Sequence, residues 1–574
     1  MKKLGSSSYN TLNFEVITIF LVNSFLFIQA FLNGKRFYRE VTPAGDPFTY
    51  SIGYFDLLNR VKGNFGILRE TLTALFLGNI NWYWLTDLLI VLMNPFLVKE
   101  MYSLILINYV LYFVWCIYLF SLAKLYIVNR FSRVVFSLLP WLFPMNYGLA
   151  EYSSPGTMGL DAAFVPMLGI ALTGMFLMFA NPRNNKYAFQ AAFLCVLAVF
   201  GRGNSLPVVL LVIFVPTLFL LIWSKKNSSY SSMRRFLIIF FLGTFYFYFT
   251  NWGPISSYYY SHLQFIERQQ LNFNDFKPYL LNIPGFMFLR SPDSIFTIFI
   301  SFALHLLVLA TAVYLLKSIR KLADFNLRLI IRLTGVFVYF GTYFVNLVLF
   351  SDPLMNIYNA LLIWRPMLLG LLCLLISFFP KNKVFESKIP LAAFLIFLIL
   401  FSSFFTARQT PWDWRINRPS PANLQQLVRN LSASESISLL WYGNVNPQIL
   451  DYFYIKESSK HLNIFRGANY NSLWSPWDYS DGNRDLVKKE IAQHFSEASV
   501  VIVPEYLAQY QLGQPYAINH FRDVFFELYS KGLLPRMSVV GRIKENDLEN
   551  LLVLVKSANT ESQEIWEPKI PGNE

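Results

Sequence analysis

About eleven long apolar segments fill residues 14–405, and a polar stretch follows them from Thr406 to Glu574. Apolar runs of roughly 18 residues or more, such as 295–316 and 329–350, are long enough to cross a bilayer as helices. Charged residues make up 14% of the chain, whereas they make up about a quarter of a soluble protein. We therefore expect an α-helical polytopic membrane protein. Its transmembrane domain covers residues 1–405, and a soluble α/β domain covers residues 406–574.

Basic residues between the apolar segments predict the orientation of the helices. Connections rich in Lys and Arg face the cytoplasm in most membrane proteins, and here they fall at every second connection, around residues 124–133, 183–186, 225–235, 317–332 and 381–383. This alternation predicts a cytoplasmic N-terminus and an extracytoplasmic C-terminal domain, as in a multi-pass protein of a bacterial inner or plasma membrane. The predicted helices cover residues 14–32, 101–122, 133–148, 161–180, 187–200, 206–223, 235–250, 295–316, 329–350, 359–379 and 388–405.

The composition disfavours several classes of function. A net charge of +14 would suggest a nucleic-acid partner in a soluble protein, but here the basic residues sit at segment ends as topology signals, so we expect none. The three cysteines lie inside apolar spans, which predicts buried packing residues rather than disulfides or a metal site. The sequence has no glycine-rich nucleotide loop, no metal-spaced His/Cys cluster and no nucleophile elbow. An enzyme of this kind would need a donor that arrives through the membrane.

Three acidic residues on the predicted outer side are candidates for acid–base chemistry. Asp46 lies in the turn Ala44-Gly45-Asp46-Pro47, where a fixed carboxylate could take a proton from an acceptor hydroxyl; a turn-forming Asp before proline is the structural alternative. Glu40 lies close by, and its alternative is a solvated loop charge. Asp161 opens the fourth predicted helix, a favourable position for an acid on dipole grounds alone, but it could converge with Asp46 on one cavity.

Three arginines are candidates for binding a phosphate group. Arg202 lies in the tight turn Gly201-Arg202-Gly203 between two apolar helices, where a charge is costly without a partner; snorkelling to lipid phosphates is the alternative. Arg365 lies about two turns inside the tenth predicted helix and could bind a phosphate with both arms of its guanidinium group; a salt bridge to a loop acid is the alternative. Arg290, just before the eighth predicted helix, is a weaker member of this group.

The order of these motifs resembles the GT-C superfamily of integral membrane glycosyltransferases, which includes protein O-mannosyltransferases and the aminoarabinose transferase acting on lipid A. The likeness covers roughly residues 10–405 and rests on an early acid in a long first outer loop, on Leu160-Asp161-Ala162-Ala163, on the Gly201-Arg202-Gly203 turn and on Trp364-Arg365-Pro366. It implies that Asp46 acts as base or positions the acceptor, that Asp161 supports it, and that Arg202 and Arg365 contact the phosphate of the donor lipid. Many members pair two acids in the first loop, whereas Gly45 precedes Asp46 here, so the need for a divalent cation stays open.

The resemblance implies an inverting transferase that moves a sugar from a polyprenyl-phosphate donor to an acceptor, either a protein, a lipid or a polysaccharide, on the extracytoplasmic side. Its partners are the donor and the surrounding membrane lipids. No cofactor is certain. Two alternatives stay open: a transporter or flippase for a lipid-linked glycan, and a non-enzymatic membrane assembly protein.

Overall fold

The computed structural model is predominantly helical, and its internal contacts divide the chain into two compact units. The first unit holds residues 1–34, 60–98 and 102–410, and the second holds residues 35–59, 99–101 and 411–574. The sequence prediction assigned every residue before 406 to the membrane domain, whereas by contacts residues 35–59 belong with the C-terminal part of the chain.

The structure describes a defined part of the chain, and the account below is confined to it. The described residues are 8–40, 46–61, 66–77, 84–97, 103, 105–143, 161–181, 183–201, 206–214, 216–218, 221, 230–253, 255–257, 295–319, 327–349, 357–379, 388–407, 421–429, 431, 436–439, 447–458, 460–463, 484–505, 526–544, 550–556 and 564–567.

The described part of the chain up to residue 407 is helical, and of its helices α2 and the end of α1 belong to the second unit. In chain order they are α1 (Ser8–Glu40), α2 (Asp46–Val61), α3 (Gly66–Leu77), α4 (Trp84–Met93), α5 (Ile105–Tyr126), α6 (Arg130–Ser137), α7 (Asp161–Ala180), α8 (Asn185–Phe200), α9 (Leu206–Val209), α10 (Tyr230–Thr250), α11 (Ile295–Ile319), α12 (Leu327–Leu349), α13 (Ile357–Phe378) and α14 (Lys388–Ala407).

Five helices within the described residues are long and apolar enough to cross a membrane: Phe14–Lys35, Ile105–Leu125, Ala163–Ala180, Ser231–Thr250 and Ile295–Leu316. Helix α11 has an exposed apolar surface, because Phe296, Phe299 and Phe302 are all more than half exposed. By contrast, α7 is buried along almost its whole length. The first unit is thus a helical assembly with α7 in its interior and apolar faces on its periphery, as in a membrane protein.

Two helices differ from the sequence prediction for local reasons. The helix predicted over residues 133–148 is described as α6, which ends at Ser137 and is followed by a 3₁₀ turn over Leu139–Leu142. Pro140 stands inside that predicted helix, and proline cannot donate the backbone hydrogen bond that a helix interior requires. The helix predicted over 206–223 is described as α9 followed by a π-helical segment, Leu210–Phe214.

The second unit contains a four-stranded sheet with helices. Its elements are α15 (Pro421–Arg429), β1 (Ile437–Leu439), α16 (Pro447–Ser458), α17 (Arg484–Glu497), β2 (Val500–Pro504), β3 (Met537–Lys544) and β4 (Asn550–Lys556). The strand order is β1-β2-β4-β3; β1 and β2 are parallel, and the other two pairs are antiparallel. Ile491 and Phe495 of α17 pack with Val501 and Val503 of β2 and with Trp566 to form a small core.

Candidate functional site

The structure places four of the six candidate site residues on helices, and it assigns them to different units. Asp161 is the first residue of α7 and Arg365 lies within α13, both in the first unit. Glu40 ends α1 and Asp46 begins α2, both in the second unit. Glu40 and Asp46 are therefore helix-terminal residues rather than members of an extended loop. Arg202 and Arg290 lie outside the described residues.

One end of the first unit collects basic side chains from several helix termini. Arg133, near the start of α6, approaches Glu15 of α1 at 3.5 Å, and its Nε donates to the carbonyl of Ile127 just past α5. Arg328 of α12 donates to the carbonyl of Phe379 just past α13, and the Phe379 ring packs edge-on against Phe136 of α6.

Arg332 connects α12 to the ends of α13 and α11 at this same end of the unit. Its Nε donates to Ser377 Oγ at 3.3 Å, and its guanidinium lies 4.5 Å from the centre of the Phe378 ring, both residues of α13. It also lies 5.7 Å from the ring of Tyr314, near the end of α11. We call this the basic end of the first unit; it is defined by Lys124, Arg130, Arg133, Arg328 and Arg332.

Asp161 lies at the opposite end of the first unit, as two contacts with α5 show. Gly169 of α7 packs directly against the Trp115 ring, and each of these residues lies 11 positions before the end of its helix. Gln190, early in α8, donates to the hydroxyl of Tyr118. The first contact fixes the height of α7 along α5, and the second fixes the height of α8 along α5. Both contacts fit only if α7 runs parallel to α5 and α8 runs antiparallel to it. The end of α7 is therefore at the basic end. Asp161, 19 residues earlier, is then about 29 Å away along the helix axis.

Arg365 lies in the same half of the unit as Asp161. It precedes Phe378, at the basic end, by 13 residues, which corresponds to about 20 Å along a helix axis. The helices α7 and α13 pack against each other. The backbone of Arg365 and that of Asp161 are therefore on neighbouring helices, in the half of the unit that is remote from the basic end.

Arg365 also lies close to a tight crossing between α13 and α12. Gly370, five residues further along α13, faces Gly335 and Tyr339 of α12 so closely that a Cβ atom on Gly370 would lie 2.9 Å from the carbonyl oxygen of Gly335. The buried hydroxyl of Tyr339 is 2.8 Å from Nδ1 of His305 on α11. A fixed crossing of this kind holds α13, and with it the backbone at Arg365, in one position.

A further acid of the first unit lies on α4. This helix has 10 residues and spans about 15 Å, half of what a bilayer core requires. Asp87 is half-buried in its first turn, and burial raises the pKa of its carboxyl group to about 7. A carboxyl group with a pKa near neutrality can accept a proton at physiological pH. Asp87 is therefore an additional candidate for acid–base chemistry.

In the second unit, α2 contacts α16 through a pair of aromatic rings. Tyr54, Phe55 and Leu58 of α2 are nearly inaccessible to solvent, and the Phe55 ring stacks on Tyr452 with ring centres 5.3 Å apart. Burying one large side chain such as Phe55 contributes roughly 1.5–3 kcal/mol. The helix that begins with Asp46 is thus an integral element of the second unit.

A histidine joins the same two helices by polar contacts. His461 Nδ1 is 2.8 Å from Oδ2 of Asp451 on α16, and Nε2 is 2.9 Å from Oδ1 of Asp56 on α2. The other Asp451 oxygen accepts from the backbone N–H of Leu462 at 2.8 Å. Burial lowers the pKa of His461, but the hydrogen bond and charge of Asp451, together with the charge of Asp56, outweigh it and raise the pKa above 6.5.

The described residues include no group of three or more His, Cys, Asp or Glu side chains that could hold a metal ion. Sequence analysis did not select Asp56, Asp451 and His461. Since 405 residues separate His461 from Asp56, no local motif could have indicated their contact.

In comparisons with known proteins, no family model and no curated protein matches the chain.

Proposed function

We propose that this protein is an integral membrane glycosyltransferase. It moves a sugar from a polyprenyl-phosphate donor to an acceptor on the extracytoplasmic side of the membrane. In this proposal the chain crosses the bilayer about eleven times, with the basic end of the first unit in the cytoplasm, as the positive-inside rule favours. The second unit then carries the extracytoplasmic α/β domain.

The observation that supports the proposal most is the polarity of the first unit. Five basic side chains gather at one end, while Asp161 and Arg365 lie on packed neighbouring helices in the other half. An arginine within an apolar helix is costly unless it binds a partner, and a lipid phosphate at headgroup level supplies one. Asp161 and Arg365 are the two kinds of residue that the transfer needs, an acid and an arginine.

The proposed step breaks one bond and forms another at the anomeric carbon. The acceptor hydroxyl oxygen attacks this carbon from the face opposite the phosphate, and its proton passes to Asp46. The bond from the anomeric carbon to the phosphate oxygen breaks, and the polyprenyl phosphate leaves with an added negative charge. Arg365, with Arg202 and Arg290, stabilises that charge through hydrogen bonds that strengthen as it develops. Asp161 orients the acceptor, and Glu40 supports Asp46.

The test uses the purified full chain in liposomes, with radiolabelled polyprenyl-phosphate sugars as donors and envelope extract as the source of acceptor. We expect label to leave the lipid fraction and to appear in the acceptor fraction. Arg365→Ala and Asp161→Asn should each lower transfer at least a hundredfold, in line with the loss of one electrostatic or acid–base group. The matched controls are Arg130→Ala, at the basic end, and Asp485→Asn, whose side chain is 98% exposed.

Two outcomes would reject the proposal. One is transfer at wild-type rates in both Arg365→Ala and Asp161→Asn. The other is movement of the labelled lipid between leaflets without a new glycosidic bond, which would identify a flippase instead. Cysteine labelling from each side of the membrane provides an independent check, since residue 161 and the basic end must react from opposite faces.

A further inference from the structure

We propose that His461 is a positioning residue for the sugar transfer: by bridging Asp56 and Asp451 it holds α2, the helix that begins with Asp46, in place when its ring is protonated. The inference rests on the proposed function, in which Asp46 takes the proton of the acceptor hydroxyl. It concerns contacts within the second unit alone.

The two hydrogen bonds require the charged ring. Carboxylates accept hydrogen bonds and cannot donate them, and a neutral imidazole has a single N–H group. The two ring nitrogens lie 2.8 Å and 2.9 Å from carboxylate oxygens. Both can therefore donate an N–H hydrogen bond only in the imidazolium form. When the ring loses its proton, one nitrogen faces a carboxylate without a hydrogen atom between them, and one of the two contacts is lost.

The charged groups around the ring come from both helices. Asp56 on α2 and Asp451 on α16 act on the ring charge directly. The other charged residues of α2 are Asp46 and Arg60, and Arg60 pairs with Glu70. On or just after α16 they are Lys456, Glu457 and Lys460, of which Glu457 pairs with Arg429. His461 therefore carries the positive charge between the two carboxylates.

Helix α2 responds to this contact as a rigid element. Asp46 and Asp56 lie ten residues apart on one continuous helix, so a restraint at Asp56 is transmitted to the first turn about 15 Å away. The ring contact between Phe55 and Tyr452 does not depend on the charge of His461, so α2 stays attached when the imidazole loses its proton. His461 thus adjusts the position of a helix that is already docked, and placement changes of about 1 Å are enough to lower catalytic rates strongly.

The first experiment measures α2 directly and does not depend on activity. Amide hydrogen exchange is followed in the full chain at pH 6 and pH 8.5, with labelling times scaled for the intrinsic pH dependence of exchange. We expect the protection of α2 at pH 6 to fall about fivefold in His461→Gln, as expected for exposed charged contacts, and the wild type to show a similar loss at pH 8.5. Lys460→Gln, the matched control, should behave as the wild type.

The second experiment measures transfer. In the wild type, kcat should fall as pH rises through the pKa of His461, while KM for the donor lipid stays constant because its phosphate ligands are unaffected. His461→Gln should lower kcat about tenfold at pH 6 with an unchanged KM. His461→Arg, whose fork is always charged and can reach two carboxylates, should restore kcat and abolish the pH-dependent fall.

The two experiments separate the possible failures. If α2 protection is the same in His461→Gln and the wild type at both pH values, the bridge does not hold α2 and the inference is wrong, whatever the activity. If the bridge behaves as expected but no variant transfers sugar, the proposed function fails and the positioning role fails with it. If transfer occurs and His461→Gln changes neither kcat nor its pH profile, the bridge is structural and the positioning role is rejected.

Discussion

Replacing Gly370 with alanine tests whether α12 and α13 touch backbone to backbone. The added Cβ would lie 2.9 Å from the carbonyl oxygen of Gly335 and 2.9 Å from the backbone nitrogen of Tyr339. Contacts of this kind normally begin at 3.4 Å or more, so the two helices must separate by about half an ångström. A side-chain rotation cannot relieve the clash, because both neighbours are backbone atoms.

The magnitude follows from two opposing effects. Overpacking a well-filled contact costs about 1–3 kcal/mol, and alanine gains up to about 1 kcal/mol over glycine in helix propensity. Gly370→Ala should therefore lower the free energy of unfolding by about 1–2 kcal/mol. Denaturation of the purified protein in mixed detergent micelles, followed by intrinsic fluorescence, measures this difference.

Two other glycines calibrate the result. Gly253 is helical, and a Cβ there would meet nothing within 4 Å, so Gly253→Ala should leave stability unchanged or raise it. Gly174 would contact the end of the flexible Leu194 side chain at 3.0 Å, so Gly174→Ala should fall between the two. Equal stability of Gly370→Ala and Gly253→Ala would refute the close crossing.

Three further predictions concern buried polar groups. Trp141→Phe removes the hydrogen bond from Trp141 Nε1 to buried Asn23 Oδ1, 3.1 Å long, and should cost about 1–2 kcal/mol in the same denaturation assay. Arg133→Met leaves Glu15, which is 2% exposed, without its ion pair and should cost about 1–3 kcal/mol; an unchanged stability would contradict the pairing. Burial lowers the pKa of His494 to about 4, so the unfolded chain takes up a proton before the folded one does. The stability of the second unit should fall by up to about 3 kcal/mol between pH 6.5 and 4, and hydrogen exchange of β2 in His494→Gln should lack that fall.

The agreement between sequence and structure is best where an apolar run has clear ends. The helix predicted over residues 161–180 is described as Asp161–Ala180, because an acid opens it and Asn181 and Pro182 close it. Here hydrophobicity and end signals point to the same boundaries.

The differences arise where contacts distant in sequence decide the structure. Helix α16 carries Tyr452, which stacks on Phe55 of α2, and Asp451, which contacts His461. The assignment of α2 to the second unit depends on Phe55 and Asp56 meeting residues some 400 positions later. A periodic pattern states which face of a helix is apolar but not which partner covers it. The roles of Asp46, Asp161, Arg202, Arg290, Arg365 and Glu40 in sugar transfer stay predictions.

The joint origin of the second unit from two distant parts of the chain has a consequence for biosynthesis. Helix α2 is made early, but α16, against which Phe55 packs, begins 386 residues after Val61. At about 5–20 residues per second, a ribosome needs roughly 20–80 s to reach it. Throughout that interval the Phe55 ring lacks Tyr452, on which it stacks in the folded protein. The docking of α2 is therefore completed only late in synthesis, and chains that terminate before residue 447 would lack this partner permanently.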